Sequence, residues 1–374
     1  MEKTLQKEET YYENIRKKGY SRRDFLRFVT YMAAFMGLET SMVGQVVKAL
    51  ETKKRIPVIW DHFQECTGCS ESFIRSNHPL VADLILDKIS LDYTDTLMAA
   101  SGFPAEEAKK QSIKENYGKY ILVVEGAIPT KDNGVYCSIA GMSALDVLKA
   151  DAAGAAAILS FGSCSSWGGI QAASPNPTGA VPVNALIKDK PVIRVPGCPP
   201  ISEVMVGVVM HYVTFGTLPA LDSMGRPKQF YGKRVHDTCY RRAYFDAGLF
   251  AESFDSYEAK QGYCLYKLGC RGPLTYNACA SMKWNNGVSY PIESGNPCIG
   301  CSDNHFWDND PFTKRVENVP GLGIESTANT IGKIVLGAAI GGTVAHAVAA
   351  NFAKKKDIRS RSKKGKVNEK DIKE

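Results

Sequence analysis

Eleven cysteines are spread over 374 residues, and ten of them stand in spacings that suit metal chemistry. Cys66 and Cys69 occur in Glu65-Cys66-Thr67-Gly68-Cys69, Cys164 closes Phe161-Gly162-Ser163-Cys164, and Cys198 lies in Pro196-Gly197-Cys198-Pro199-Pro200. Six more fall between residues 239 and 301: His236-x-x-Cys239, Cys264 and Cys270, Cys279, then Pro297-Cys298-Ile299-Gly300-Cys301. Thiolates grouped in this way suit iron–sulfur clusters, with structural zinc as the weaker alternative. Disulfides are the other rival, but the count is odd and the first four cysteines converge as a group, not as pairs. Cys137 has no partner motif and reads as an ordinary buried thiol.

These residues must be held by ordered elements. Apolar runs at Ile56–Trp60, Tyr120–Glu125, Ala155–Phe161 and Pro191–Val195 read as buried strands. Helix-compatible stretches, such as Ala105–Glu115 and Ala144–Ala153, separate them. That alternation predicts an α/β fold with a doubly wound parallel sheet. Ligands of such sheets bind beyond the carboxyl ends of the strands. Three strand ends therefore deliver Cys66, Cys69, Cys164 and Cys198 to one edge. After about residue 225 the periodicity fades and Gly, Pro, Tyr and Asn become frequent. Such a segment builds a core poorly by itself, and bound metal would act as its staple.

The composition is globular, with 44% hydrophobic and 23% charged residues, which rules out wholesale disorder. The net charge of +7 is carried by the ends. Residues 1–55 hold 12 Lys/Arg against 7 Asp/Glu, and residues 354–374 hold 10 against 4. The remainder holds 24 against 28, so the body is mildly acidic and does not read as a nucleic-acid binder.

Both ends read as addresses. Ser21-Arg22-Arg23-Asp24-Phe25-Leu26-Arg27 precedes an apolar run from Phe28 to Leu38, the pattern of a twin-arginine export signal. Cleavage is expected around residues 45–52. Near the other end, Ile334 to Ala353 contains no Asp, Glu, Lys or Arg. About 20 such residues span a ~30 Å hydrocarbon core. Lys354, Lys355 and Lys356 follow, which orients the tail to the cytoplasm and the body to the periplasm. His346 is the only ionisable residue within that apolar run, and its imidazole calls for a partner inside the membrane.

Taken together, these motifs resemble the small, electron-transfer subunit of membrane-bound nickel–iron uptake hydrogenases. The resemblance implies a flavodoxin-like domain with Cys66, Cys69, Cys164 and Cys198 on a proximal 4Fe–4S cluster. It further implies a distal 4Fe–4S cluster on His236, Cys239, Cys264 and Cys270, and a medial 3Fe–4S cluster on Cys279, Cys298 and Cys301. Pro291 occupies the position where a fourth medial ligand could stand. Gly68 and Gly169 stand where oxygen-tolerant members carry two extra cysteines, which implies the standard, oxygen-sensitive type. The implied partners are a large subunit holding the nickel–iron centre, which this chain lacks, and a di-haem cytochrome b that passes electrons to quinone. The expected organisation is a twin-arginine signal at 1–50, the flavodoxin-like domain at 56–225, the cluster domain at 226–322, a membrane helix at 331–353 and a basic tail at 354–374. A membrane-anchored polyferredoxin without hydrogenase activity is the alternative from another class.

Overall fold

The computed structural model describes residues 11–17, 19–35, 39–52, 55–77, 84–85, 89–308 and 325–367. The expectations for residues 1–10, 309–322 and 368–374 lie outside the described residues.

Five strands form one sheet: β1 (Ile56–His62), β2 (Ile89–Thr94), β3 (Ile121–Glu125), β4 (Ala157–Phe161) and β5 (Val192–Val195). Their order is β2-β1-β3-β4-β5, and every pairing is parallel. This is the flavodoxin-like, doubly wound order. Four of the strands match the apolar runs of the sequence. β2 does not, because Ser90 and Asp92 break its apolar pattern. It lies at the sheet edge, where three of its six residues are only half-buried.

The helices that matter here are α1 (Tyr11–Lys17), α2 (Arg22–Phe35), α3 (Val43–Thr52), α4 (Gly68–Ile74), α5 (Gly102–Glu115), α6 (Ala144–Ala153), α7 (Gly162–Trp167), α8 (Ser202–Phe215), α9 (Cys279–Met282) and α10 (Glu325–Val367). Alternate strand residues point to opposite faces, so the sheet feeds two cores. Val58, Trp60, Ile121, Val123, Leu159, Phe161, Ile193 and Val195 join one core with α8 and Phe73 of α4. Ile59, Leu122, Val124 and Ile158 join the other, with Ala105 of α5 and Val147 and Leu148 of α6. Under that second core Lys109 is buried among carboxylates: its Nζ lies 2.8 Å from Asp151, 3.2 Å from Asp61 and 3.8 Å from Glu106.

Beyond α8 the chain turns to short helices and isolated bridges, such as Arg234 with Tyr276 and Phe250 with Cys264. It does not build a wholly separate core. Phe230, Tyr231, Leu265, Leu268, Cys279, Tyr290 and Ile292 are buried in the same cluster as the first sheet face. Helix α10 runs on through the apolar stretch into the basic residues, to Val367. Its Gly332–Lys356 portion is long and apolar enough to cross a membrane, and none of it is buried against the body.

Candidate metal centres

The first site forms where β1, β4 and β5 end. Cys66 and Cys69 follow β1, Cys164 lies in α7 after β4, and Cys198 follows β5. All four thiols line one cavity of about 110 Å3 together with Glu65, Gly68, Glu125, Gly126, Ser163, Gly197 and Pro199. The loop between Cys66 and Cys69 turns through Thr67 at φ 64°, a left-handed backbone that a β-branched residue rarely adopts. Gly162 begins α7 at φ 88°, and a Cβ there would stand 2.4 Å from Cys69 Sγ. Only glycine lets the end of β4 come so near a thiol. The two other glycines singled out in the sequence also border this set. A Cβ at Gly68 would lie 3.2 Å from Cys66 Sγ, and one at Gly169 would lie 2.5 Å from Cys164 Sγ.

Glu125 is the residue that the sequence reading passed over. It ends β3, is 1% exposed, and reaches across to the start of α4. Its carboxylate accepts from Cys69 N at 2.9 Å, from Ser70 N at 3.1 Å and from Ser70 Oγ at 2.7 Å. It thereby satisfies N–H groups that a helix start leaves unpaired, and fixes the helix that bears Cys69. The available signal was a carboxylate closing the apolar run Ile121-Leu122-Val123-Val124-Glu125. His62 Nδ1 lies 3.7 Å from Glu125 and 3.6 Å from Glu65. Burial opposes its charge, but the carboxylates of Glu65, Glu125 and Asp95 outweigh burial and lift its pKa.

The second and third sets are built from turns. Cys279, in α9, and Cys298 and Cys301 face one another closely enough that each thiolate would raise the pKa of Cys279. Cys239, Cys264 and Cys270 form a further group. The His236 ring lies edge-on to Phe245 at 4.4 Å, and Phe245 packs on Tyr266 in the small cluster that contains Cys264. Tyr290 Oη donates to Cys239 Sγ at 3.4 Å. Pro291, next in the chain, is exposed and carries no donor. Cys137 is half-buried against the second sheet core, less enclosed than the sequence suggested.

The three sets adjoin in series. Cys198 neighbours Cys301 closely enough for its backbone N–H to favour the Cys301 thiolate and for its own thiolate to oppose it. The backbone N–H of Cys298 donates to Cys270 Sγ at 3.4 Å. The strand-end set thus adjoins the Cys279 set through Cys198 and Cys301, and one peptide group joins the Cys279 set to the Cys264 set. Ser163 Oγ donates to Cys301 O, and Trp167 Nε1 donates to Ser302 O at 3.1 Å, tying α7 to this loop.

As free thiols the buried members of these sets resist ionisation. Burial lifts Cys301 to about 11 and Cys164 and Cys264 to about 12. Buried thiolates clustered so closely need cationic metal between them, and loading releases their protons. The donor set is soft, the cavity brings four thiols together among glycines, and an amide N–H is aimed at sulfur. All three features fit iron–sulfur ligation.

Residues 231–313 match the family that describes the C-terminal part of the NiFe/NiFeSe hydrogenase small subunit, and residues 66–212 match NADH ubiquinone oxidoreductase, 20 Kd subunit. The Hydrogenase-1 small chain of Citrobacter freundii is 53% identical over 342 residues, 91% of either chain. The chain belongs to the nickel–iron hydrogenase small-subunit family. The uptake hydrogenase small subunit of Azotobacter vinelandii is 51% identical, over 92% of this chain and 95% of its own length. Among solved structures, the Ni-Fe-Se hydrogenase of Desulfomicrobium baculatum is 35% identical with a TM-score of 0.67, covering 70% of this chain and all of that one. The protein is therefore the electron-transfer subunit of a hydrogenase, an oxidoreductase. The match at residues 66–212 shows that the sheet half is the part similar to the NADH ubiquinone oxidoreductase 20 Kd subunit.

Arg22 and Arg23 are exposed in the first turn of α2. His346 is exposed on α10, within the stretch apolar enough to cross a membrane.

Proposed function

We propose that this chain relays electrons from a nickel–iron centre on a large subunit along three iron–sulfur clusters. Cys66, Cys69, Cys164 and Cys198 would hold a proximal 4Fe–4S cluster. Cys279, Cys298 and Cys301 would hold a medial 3Fe–4S cluster, and His236, Cys239, Cys264 and Cys270 a distal 4Fe–4S cluster. When bound, such clusters supply one-electron acceptors. The observation that carries this reading is the series of adjoining sets, Cys198 beside Cys301 and the Cys298 N–H donating to Cys270 Sγ.

The chain's own groups do the positioning. Glu125 anchors α4, so the Cys66–Cys69 loop keeps its shape. The N–H groups of Cys198 and Cys298 and the Tyr290 hydroxyl stabilise negative charge on the sulfurs they face, which favours reduction. His236 in place of a thiolate removes one negative charge and raises the distal potential. Pro291 offers no fourth ligand for the medial site. Gly68 and Gly169, bordering Cys66 and Cys164 without thiols of their own, support the standard, oxygen-sensitive type.

The ends complete the reading. Residues 1–50 act as a twin-arginine signal, α10 spans the inner membrane at 331–353, the body faces the periplasm and the 354–374 tail faces the cytoplasm. His346 meets a di-haem cytochrome b, which passes electrons to quinone.

The test is iron analysis and EPR of the complex purified from membranes with its partners. About eleven irons in this chain and a 3Fe–4S signal in the oxidised state are expected. Zinc in place of iron, or two 4Fe–4S clusters only, would remove the assignment of Cys279, Cys298 and Cys301.

A further inference from the structure

Helix α8 is buried on every side. Ser202 to Met210 are nine consecutive buried residues. A helix apolar all round requires cover on each of its faces. The sheet and α4 supply part of that cover, and α3 lies against a further side. α3 in turn carries α2 and α1. Phe25, Val29 and Ala33 recur every four residues and form one stripe along α2. Together with Val46 of α3 they are 1% exposed or less, within the same core as Val204 and Val208.

The twin-arginine turn is fixed as well. Asp24 N donates to Ser21 Oγ and Ser21 N donates to Asp24 Oδ2, each at 3.2 Å, a reciprocal cap on α2. Arg22 lies 3.6 Å from Glu51 on α3, and its guanidinium stands 5.8 Å from the ring centroid of Tyr12 on α1. A signal carried as a free extended tail would make none of these contacts.

We propose that the outer side of α8 is an interaction surface for the chain's own N-terminal leader. In the precursor the leader folds back as a three-helix unit and buries its apolar signal stripe on the body. The stripe engaged there is the one a translocation signal must expose, so export requires unseating. Cleavage around residues 45–52 then carries away Phe25, Val29 and Ala33 and uncovers this side of α8. The inference rests on the reading of residues 1–50 as an export signal.

Hydrogen exchange on the full-length precursor gives the test. In the wild type, amides of 22–35 and 202–215 should be protected together. Val46→Asp, outside both the arginine motif and the apolar run, should speed exchange in both segments about ten-fold or more, with β3 and β4 unchanged. Val46→Ala, too mild to unfold the body, should give a smaller change in the same direction. The seat is refuted if residues 22–35 of the wild type exchange like a free peptide, or if neither variant changes their protection. Arg22→Lys with Arg23→Lys separates the two ideas, because it should leave protection intact while stopping export. If export continues, the signal reading fails, and the seat still stands or falls on the exchange data.

Discussion

The sheet half and the turn-rich half bring thiols together by opposite means. In the sheet half, buried Val, Ile and Leu fix five strands, and the cysteines stand at their ends as passengers on a completed scaffold. In residues 231–308 the helices are three to five residues long, and the packing is largely cysteine, aromatic side chains and a few apolar contacts shared with the sheet. The contrast predicts that one half positions its ligands before metal arrives and that the other takes its order from the metal its ligands bind.

The comparison breaks or holds most clearly on iron removal. In full-length protein made under iron chelation, residues 231–308 should lose exchange protection and become protease-sensitive, while β1, β3 and β4 stay protected. Metal binding contributes on the order of 10 kcal/mol in small metal-stapled folds, so the loss should be close to complete. If both halves lose protection together, the shared core around Tyr231 and Tyr290 dominates and the contrast is wrong.

A sharper cut acts on the sheet alone. Lys109→Met leaves Asp61, Asp151 and Glu106 without their buried cation. Breaking a buried pair in this way costs about 3–5 kcal/mol. Denaturant unfolding of the sheet half should show that loss, with bound iron per chain unchanged. Burial already raises the pKa of Asp61, although Lys109 pulls it back. A carboxyl whose folded pKa is raised binds protons more tightly when folded, so stability rises as pH falls. The penalty in the variant should therefore shrink on acidification.

How far each half could be read in the sequence follows the same divide. Four of the five strands were visible because buried parallel strands are continuous apolar runs, and α5 and α6 fall on the helix-compatible stretches between them. β2 was hidden by Ser90 and Asp92, which its edge position tolerates. The convergence of Cys66, Cys69, Cys164 and Cys198 followed from topology alone, since parallel strands present their ends on one side. Glu125 was not singled out, because nothing local reveals that a strand-end carboxylate will cap a helix from 55 residues earlier in the chain. In the turn-rich half, cysteine spacing indicated metal, but grouping Cys279 with Cys298 and Cys301 needed a family resemblance. No periodicity there predicts which turns meet. The seating of the N-terminal helices on α8 was also invisible, since their apolar stripe serves a membrane signal and a core contact equally well.

The smallest effect concerns how finely the strand-end set is shaped before metal binds. Gly169 and Gly68 both border its thiols, yet they differ in backbone. Gly169 has φ 63° and ψ −163°, a region that side chains essentially do not enter, and its added Cβ would overlap Cys164 Sγ. Gly68 begins α4 with no positive φ, and its Cβ would press on Cys66 Sγ by only a few tenths of an ångström. Gly169→Ala should therefore cost about 1–3 kcal/mol in unfolding of the sheet half and lower the iron held there. Gly68→Ala should stay within about 0.5 kcal/mol of wild type, because Cys66 is exposed and can give way. A scaffold complete before metal arrives must register the difference between these two substitutions even in iron-free protein. Equal effects of the two alanines there would mean that the strand ends, like the turns, take their final shape only around metal.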